Sequence, residues 1–140
     1  MRPETPDRIV CVRTDRIKLD RILTNLVMNA IKFTREGGIT VSVAVTGDGA
    51  AMIRVRDTGI GIPPGELERI FDEFAQLDRT IGDPARGWGL GLAICRRLAS
   101  FIGASISVES KPGHGSTFAV RLPPEFVVDI APVALPDRVT

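Results

Sequence analysis

Three groups of residues in this 140-residue chain carry chemistry that packing alone does not require. Asn25, Asn29 and Lys32 stand at i, i+4 and i+7, so on a helix they share one stripe, with Phe33 at its C-terminal end. Asparagine is a mediocre helix former, and two of them beside an apolar face need polar partners. Amide oxygens with an ammonium nearby suit a magnesium-bound phosphate, because Mg²⁺ takes hard oxygen ligands and keeps several waters. A solvated polar face is the plainer reading of the same stripe. Asp57 ends the run Ala51 to Asp57, where the period of two puts it in phase with Ile53 and Val55 and sends Arg54 and Arg56 to the other face. A carboxylate on the core-facing side must find a donor, since burying an unsatisfied polar group costs roughly 2–7 kcal/mol. Gly59 and Gly61 follow at once and let a flat ligand lie close to the backbone, where an exocyclic amine such as adenine's is a natural donor. Asp57 capping its own turn is the competing account. The third group is Gly87-Trp88-Gly89-Leu90-Gly91-Leu92, where glycines at a loop-to-helix junction let backbone N–H groups approach an anion. Its GxGxG spacing is neither the dinucleotide fingerprint nor a P-loop, and a flexible hinge has the same composition.

The elements that must position these groups follow from periodicity. Arg8 to Val12 alternates weakly, as a short strand does. Ile22, Leu23, Leu26, Val27, Ala30 and Ile31 recur at helical spacing, so Asp15 to Thr34 reads as an amphipathic helix, capped by Thr14 or Asp15 and stopped by Gly37-Gly38. Ile39 to Val45 alternates with polar residues, Gly47-Asp48-Gly49 turns the chain, and Ala51 to Asp57 returns as the second strand of a hairpin. After DTGIGIPP, short helical stretches are expected around Glu66 to Gln76, and Leu77 to Trp88, polar and aperiodic, reads as a mobile loop. Leu90, Ile94, Leu98, Phe101 and Ile102 mark a second long helix, and Ser105 to Glu109 and Ser116 to Leu122 form a closing strand pair around KPGHG. Beyond Pro123-Pro124 the pattern decays, so 1–124 is expected to be one domain and 125–140 a linker or packed tail. Helices segregated from a largely antiparallel sheet make an α+β two-layer sandwich.

Composition narrows the partners. Hydrophobic residues make up 44% and charged residues 25%, the balance of an ordinary globular domain rather than a disordered one. Lys plus Arg count 18 against 17 Asp plus Glu, a net charge of +1 that fits poorly with a domain living on nucleic-acid phosphates. Cys11 and Cys95 are isolated thiols without metal-ligand spacing, as suits a reducing cytosol. The N-terminus has no signal-peptide pattern, and the charge-free stretch from Leu98 to Val108 is too short to span a bilayer. The chain reads as soluble, or as the soluble part of something larger.

Taken in order, these motifs resemble the ATP-binding catalytic domain of sensor histidine kinases, in the superfamily that includes gyrase and the heat-shock chaperone ATPase. NLVMNAIKFT resembles the family's N box, DTGIGIP its G1 box, FDEFAQLD its F box, GWGLGLAI its G2 box and GHGSTF its final glycine box, so the likeness runs from Val12 to Pro123. The resemblance implies the Bergerat ATP-binding fold, a mixed, mostly antiparallel sheet covered on one face by helices. It implies that Asn29 coordinates Mg²⁺, Asn25 supports the metal–phosphate region, Lys32 contacts phosphate and Phe33 lies against adenine or ribose. Asp57 would accept the adenine amino group, with Gly59, Gly61 and Ile62 shaping the pocket. Gly87, Gly89, Leu90, Gly91 and Leu92 would hold the nucleotide at the helix start, and Thr117 would reach adenine through water. Leu77 to Trp88 would be the ATP lid, with Arg79 or Arg86 meeting the γ-phosphate.

Two departures stand out. Trp88 occupies a position where the family usually has a small or polar residue, and is read as packing on the lid or a partner helix, with filling a surface groove as the alternative. The one histidine, His114, sits in the turn KPGHG and is read as a surface residue rather than the phosphate acceptor. The resemblance therefore implies an excised catalytic domain, monomeric alone, whose acceptor lies on a separate dimerisation domain of a homodimeric, cytosolic or membrane-attached bacterial kinase, with a response-regulator receiver domain downstream. ATP-hydrolysing members carry a glutamate one turn before the metal-binding asparagine; here Asn25 stands there and cannot act as a general base. Transfer is thus expected over hydrolysis. The alternatives are a serine kinase of the anti-sigma-factor type and a degenerate nucleotide-binding or docking module.

Overall fold

A computed structural model describes residues 2–3, 8–34, 36–67, 69–71 and 90–132. The first long helix, α1 (Arg16–Phe33), starts where Asp15 caps it: the Asp15 carboxylate accepts the Lys18 backbone N–H at 3.1 Å and the Lys18 ammonium at 2.8 Å. It ends one residue earlier than periodicity suggests, with Thr34 as the C-cap. Ile22, Leu26, Ala30 and Phe33 are its buried residues. Ile31, expected in that stripe, is 49% exposed. It lies nine residues beyond Ile22, about two and a half turns on, and so on the opposite side of the helix.

The main sheet has five strands. In space they run β1 (Arg2–Pro3), β3 (Ile39–Val45), β4 (Ala51–Asp57), β6 (Gly115–Leu122) and β5 (Ser105–Lys111). All neighbours are antiparallel except the short β1–β3 pair. The β3–β4 hairpin closes through the Thr46 N–H on the Ala50 carbonyl at 2.9 Å. Its register sets Val41 against Val55 and Val43 against Ile53, and β6 continues these rows with Phe118 and Val120. On the inner face, Ile53, Val55, Phe118, Val120 and Leu122 pack into one core with Ile22 and Leu26 of α1 and with Leu92, Cys95 and Ala99 of the second helix, α2 (Leu90–Ile102). The outer face carries two cross-strand rows, Thr40–Arg56–Thr117–Glu109 and Ser42–Arg54–Ala119–Ser107, and no described helix covers it.

The expected strand β2 (Arg8–Val12) has a partner that periodicity does not announce, and pairs antiparallel with β7 (Val127–Pro132) in a second, two-stranded sheet. Part of the segment read as a linker or packed tail is thus a packed strand, and Val10, Val12 and Val127 lean on the core. Of the helical stretch expected at Glu66 to Gln76, the described residues show a 3₁₀ turn at Pro64–Glu66; residues 72–76 lie outside them. No described helix is long and apolar enough to cross a membrane.

Candidate functional site

The site forms where the central strand β4 runs out at the edge of the helical layer. Asp57 is the last residue of β4 and follows Ile53 and Val55 onto the inner face, where it is 5% exposed. Its donors are local. The Gly59 N–H donates to Oδ1 at 2.9 Å, and the backbone N–H of Ser116, its partner across the β4–β6 ladder, also serves it. Burial wins over both and raises the Asp57 pKa above the usual carboxylate value. The carboxylate is held but incompletely compensated, as an acceptor waiting for a ligand donor would be.

The loop after Asp57 is clasped from two sides. On one, the Thr58 N–H donates to the Gly38 carbonyl at 3.1 Å and the Ile60 N–H to the Phe33 carbonyl at 3.4 Å. On the other, the Gly113 N–H donates to the Ile60 carbonyl at 2.8 Å and the Ile62 N–H to Ser110 Oγ at 2.7 Å. Two glycines permit this closeness. A Cβ on Gly59 would stand 2.2 Å from the Phe33 carbonyl oxygen. Gly61 has φ +74°, a left-handed conformation, and a Cβ there would stand 2.1 Å from the Lys111 carbonyl oxygen. Ile62, 1% exposed, plugs the loop into the core.

Two serines missing from the sequence reading complete this corner. Ser110 Oγ accepts from Ile62, donates to the Gly115 carbonyl at 2.9 Å and lies 2.8 Å from Ser116 Oγ. A hydroxyl has one proton. With the Ser110 proton on Gly115, Ser116 is the donor between the two serines, and Ser116 stands directly across the ladder from Asp57. Thr117, assigned to adenine by resemblance, does not share this place. It pairs across β6 with Arg56 and Glu109 and belongs to the outer row, one residue out of phase with Asp57. The phase of Phe118, a core residue, marks Ser116 as the inward neighbour, so that signal was in the sequence.

The helical stripe lies on α1. Asn25 is half-buried against the start of α2, hydrogen-bonded to the Cys95 side chain, and its carboxamide lies 3.8 Å from where a Gly91 Cβ would be. Cys95 is buried, donates from Sγ to the Ile22 carbonyl at 3.6 Å, and its thiol pKa is pushed up to about 11 by burial, against the pull of the Asn25 hydrogen bond. Asn29 is half-buried, with no side-chain hydrogen bond to another described residue. Lys32 is exposed, its ammonium 5.4 Å from the Phe33 ring centroid. Phe33 is only 8% exposed and joins the core, so it serves the site chiefly through the carbonyl that anchors Ile60. Leu92 is 1% exposed and supports the core from below. Arg79, Arg86, Gly87, Trp88 and Gly89, with the loop 77–88, lie outside the described residues. Of Leu90 only its place at the first position of α2 is described. Asp57, Gly59, Ile62, Ser110 and Ser116 thus form one corner at the end of β4, while the asparagine–lysine stripe lies along α1.

This geometry has known counterparts. Residues 14–125 match the family model described as histidine kinase-, DNA gyrase B- and HSP90-like ATPase, and the chain belongs to that family. Sensor histidine kinase RcsC of Escherichia coli strain K12 is 48% identical over 118 residues, covering 84% of this chain and 12% of that protein. The chain thus spans about an eighth of the length of that relative. Among solved structures, full-length ShkA in complex with AMPPNP is 34% identical with a TM-score of 0.70, covering 93% of this chain and 25% of that one. The catalytic domain of the histidine kinase ThkA is 31% identical with a TM-score of 0.66, covering 81% of this chain and 72% of that one. The α+β fold with a mostly antiparallel sheet and two long helices is that of histidine-kinase catalytic domains.

Proposed function

We propose that this chain binds ATP with Mg²⁺ and delivers the γ-phosphoryl group to a histidine on a separate dimerisation domain, as the catalytic domain of a two-component sensor kinase. The observation that carries the reading is Asp57: a buried carboxylate with raised pKa beside two close-packed glycines, matched to an adenine amino group. Ser116 accompanies it as a second polar group for adenine or an intervening water. On the phosphate side, Asn29 and Asn25 supply amide oxygens and Lys32 supplies charge, with Gly87, Gly89 and Gly91 and a lid arginine, Arg79 or Arg86, completing the cradle. The described residues contain no cluster of His, Cys, Asp and Glu suited to a metal, so Asn29 would hold Mg²⁺ together with the nucleotide's own phosphates. Bound there, the ion would neutralise phosphate charge. Phosphoryl transfer needs positioning and charge neutralisation above all. Asn25 cannot take a proton from water, so slow hydrolysis and transfer to an external nucleophile go together.

The parent protein is a homodimer through its dimerisation helices, works in the cytosol, and passes phosphate to a receiver domain. Incubating the chain with labelled ATP and a separately produced histidine-bearing dimerisation domain tests this. Acid-labile phosphate on histidine is the expected result. Acid-stable phosphate on serine would make it a serine kinase, and no transfer despite nucleotide binding would make it a docking module.

A further inference from the structure

The outer face of the sheet has a recognition geometry that the nucleotide chemistry leaves unused. Thr40, Ser42, Arg54, Arg56, Glu109 and Thr117 line a concavity of about 650 Å³ there, which ends at the Asp57–Ser116 edge of the sheet. Arg54 and Arg56 are alternate residues of the central strand, side by side on one face and roughly 6.8 Å apart along it. Neither guanidinium has an ion-pair partner among the described residues, and Arg54 is half-buried. Glu109, the one acid in the two outer rows, stands beyond Thr117, two strands and roughly 10 Å along the sheet from Arg56, and forms no ion pair with it. The hydroxyls of Thr40, Ser42 and Thr117 flank the pair as further donors.

We propose that this concavity docks an extended acidic segment of a partner protein, with carboxylates at alternate positions reading Arg54 and Arg56. The period is the argument. A strand-like segment repeats its side chains on one face every two residues, the same roughly 6.8 Å by which Arg54 and Arg56 are spaced along β4. Each arginine offers a planar fork that matches a carboxylate in two hydrogen bonds. Glu109 flanks the arginine pair on one side, and Lys111 adds a further positive charge at the end of the same concavity, so the surface is cationic along the line of the proposed segment. The near-neutral chain, net charge +1, also fits a local patch rather than a nucleic-acid surface.

The test uses the 140-residue chain and a fluorescent ten-residue peptide of alternating Glu and Thr, with an alternating Lys and Thr peptide, inorganic phosphate and anionic phospholipid vesicles as comparisons. The Glu peptide is expected to bind saturably, to weaken as salt rises, and to lose at least about tenfold in affinity in Arg54→Ser/Arg56→Ser. Arg54→Lys/Arg56→Lys keeps charge without the fork and falls between. Binding of an ATP analogue stays at the parent value in both variants, which shows the fold intact. The proposal is overturned if the Ser variant holds the peptide as tightly as the parent, or if the Lys peptide binds equally well. Displacement of the peptide by inorganic phosphate at equal concentration, or vesicle binding without peptide binding, overturns it too by assigning the face to a lone anion or a lipid surface.

Discussion

Arg56 and Asp57 are neighbours in the chain and lie on opposite faces of one strand, and the two faces follow different physics. Inward, Asp57 is buried, costs free energy by losing water, and is held by the Gly59 and Ser116 N–H groups. Outward, Arg56 is exposed, well hydrated and unpaired among the described residues. An inward polar group must be explained by what it binds, because its burial is unfavourable otherwise. An outward charge is cheap to keep and marks a partner only when shape and spacing join it. The same division runs along β6, where Ser116 and Phe118 face the core and Thr117 faces out.

The sharpest test of that division compares adjacent residues of β6. Phe118, 2% exposed and edge-on to Phe71 with centroids 6.3 Å apart, is expected to cost about 3–5 kcal/mol on Phe118→Ala in denaturant unfolding. Thr117→Ala should stay within about 0.5 kcal/mol. Equal losses would break the assignment of faces. Next in size, Gly61→Ala forces a left-handed conformation onto a side chain that meets the Lys111 carbonyl, and should cost about 1–3 kcal/mol or displace the 58–62 loop, seen as lost amide protection at Ile62. Ser110→Ala leaves the Ile62 N–H without its acceptor and frees the Ser116 hydroxyl to turn, for about 1–3 kcal/mol in stability. Nucleotide affinity should drop with it, whereas an outer-face Ser107→Ala should change neither.

Asp57 itself gives the smallest stability effect and one of opposite sign. Its folded-state pKa is raised, so the ionised carboxylate destabilises the ligand-free fold once pH exceeds that raised value, and the penalty vanishes below the ordinary 3.8. Asp57→Asn should therefore raise the apo melting temperature slightly at neutral pH and leave it unchanged in acid. A melting temperature that falls at neutral pH would mean that the ionised carboxylate stabilises the empty fold.

Much of this was legible in the sequence because it is local. The period of two placed Asp57 inward with Ile53 and Val55, and the helical period bounded α1 and α2 closely. What was lost is non-local or a matter of phase. β7 pairs with β2 across almost the whole chain, and half-exposed residues such as Val128 and Ile130 give no local pattern to announce it. Ile31 looked like core because a wide apolar stripe hides which edge faces in. Motif likeness points to Thr117, although alternation from Phe118 puts Ser116 on the inner face. Ser110 acts only through contacts between strand, loop and turn, which no spacing in the sequence encodes.

The central claim is that Asp57 accepts an adenine amino group. Calorimetric titration of the parent chain and Asp57→Asn with AMPPNP and Mg²⁺ at neutral pH tests it most directly. In the variant, the Gly59 N–H holds the amide oxygen, so the Asn nitrogen replaces the other carboxylate oxygen and sets donor against donor. Saturable binding by the parent, weakened about 10- to 100-fold in a folded variant, is the predicted result. Equal affinity in the two proteins would contradict it.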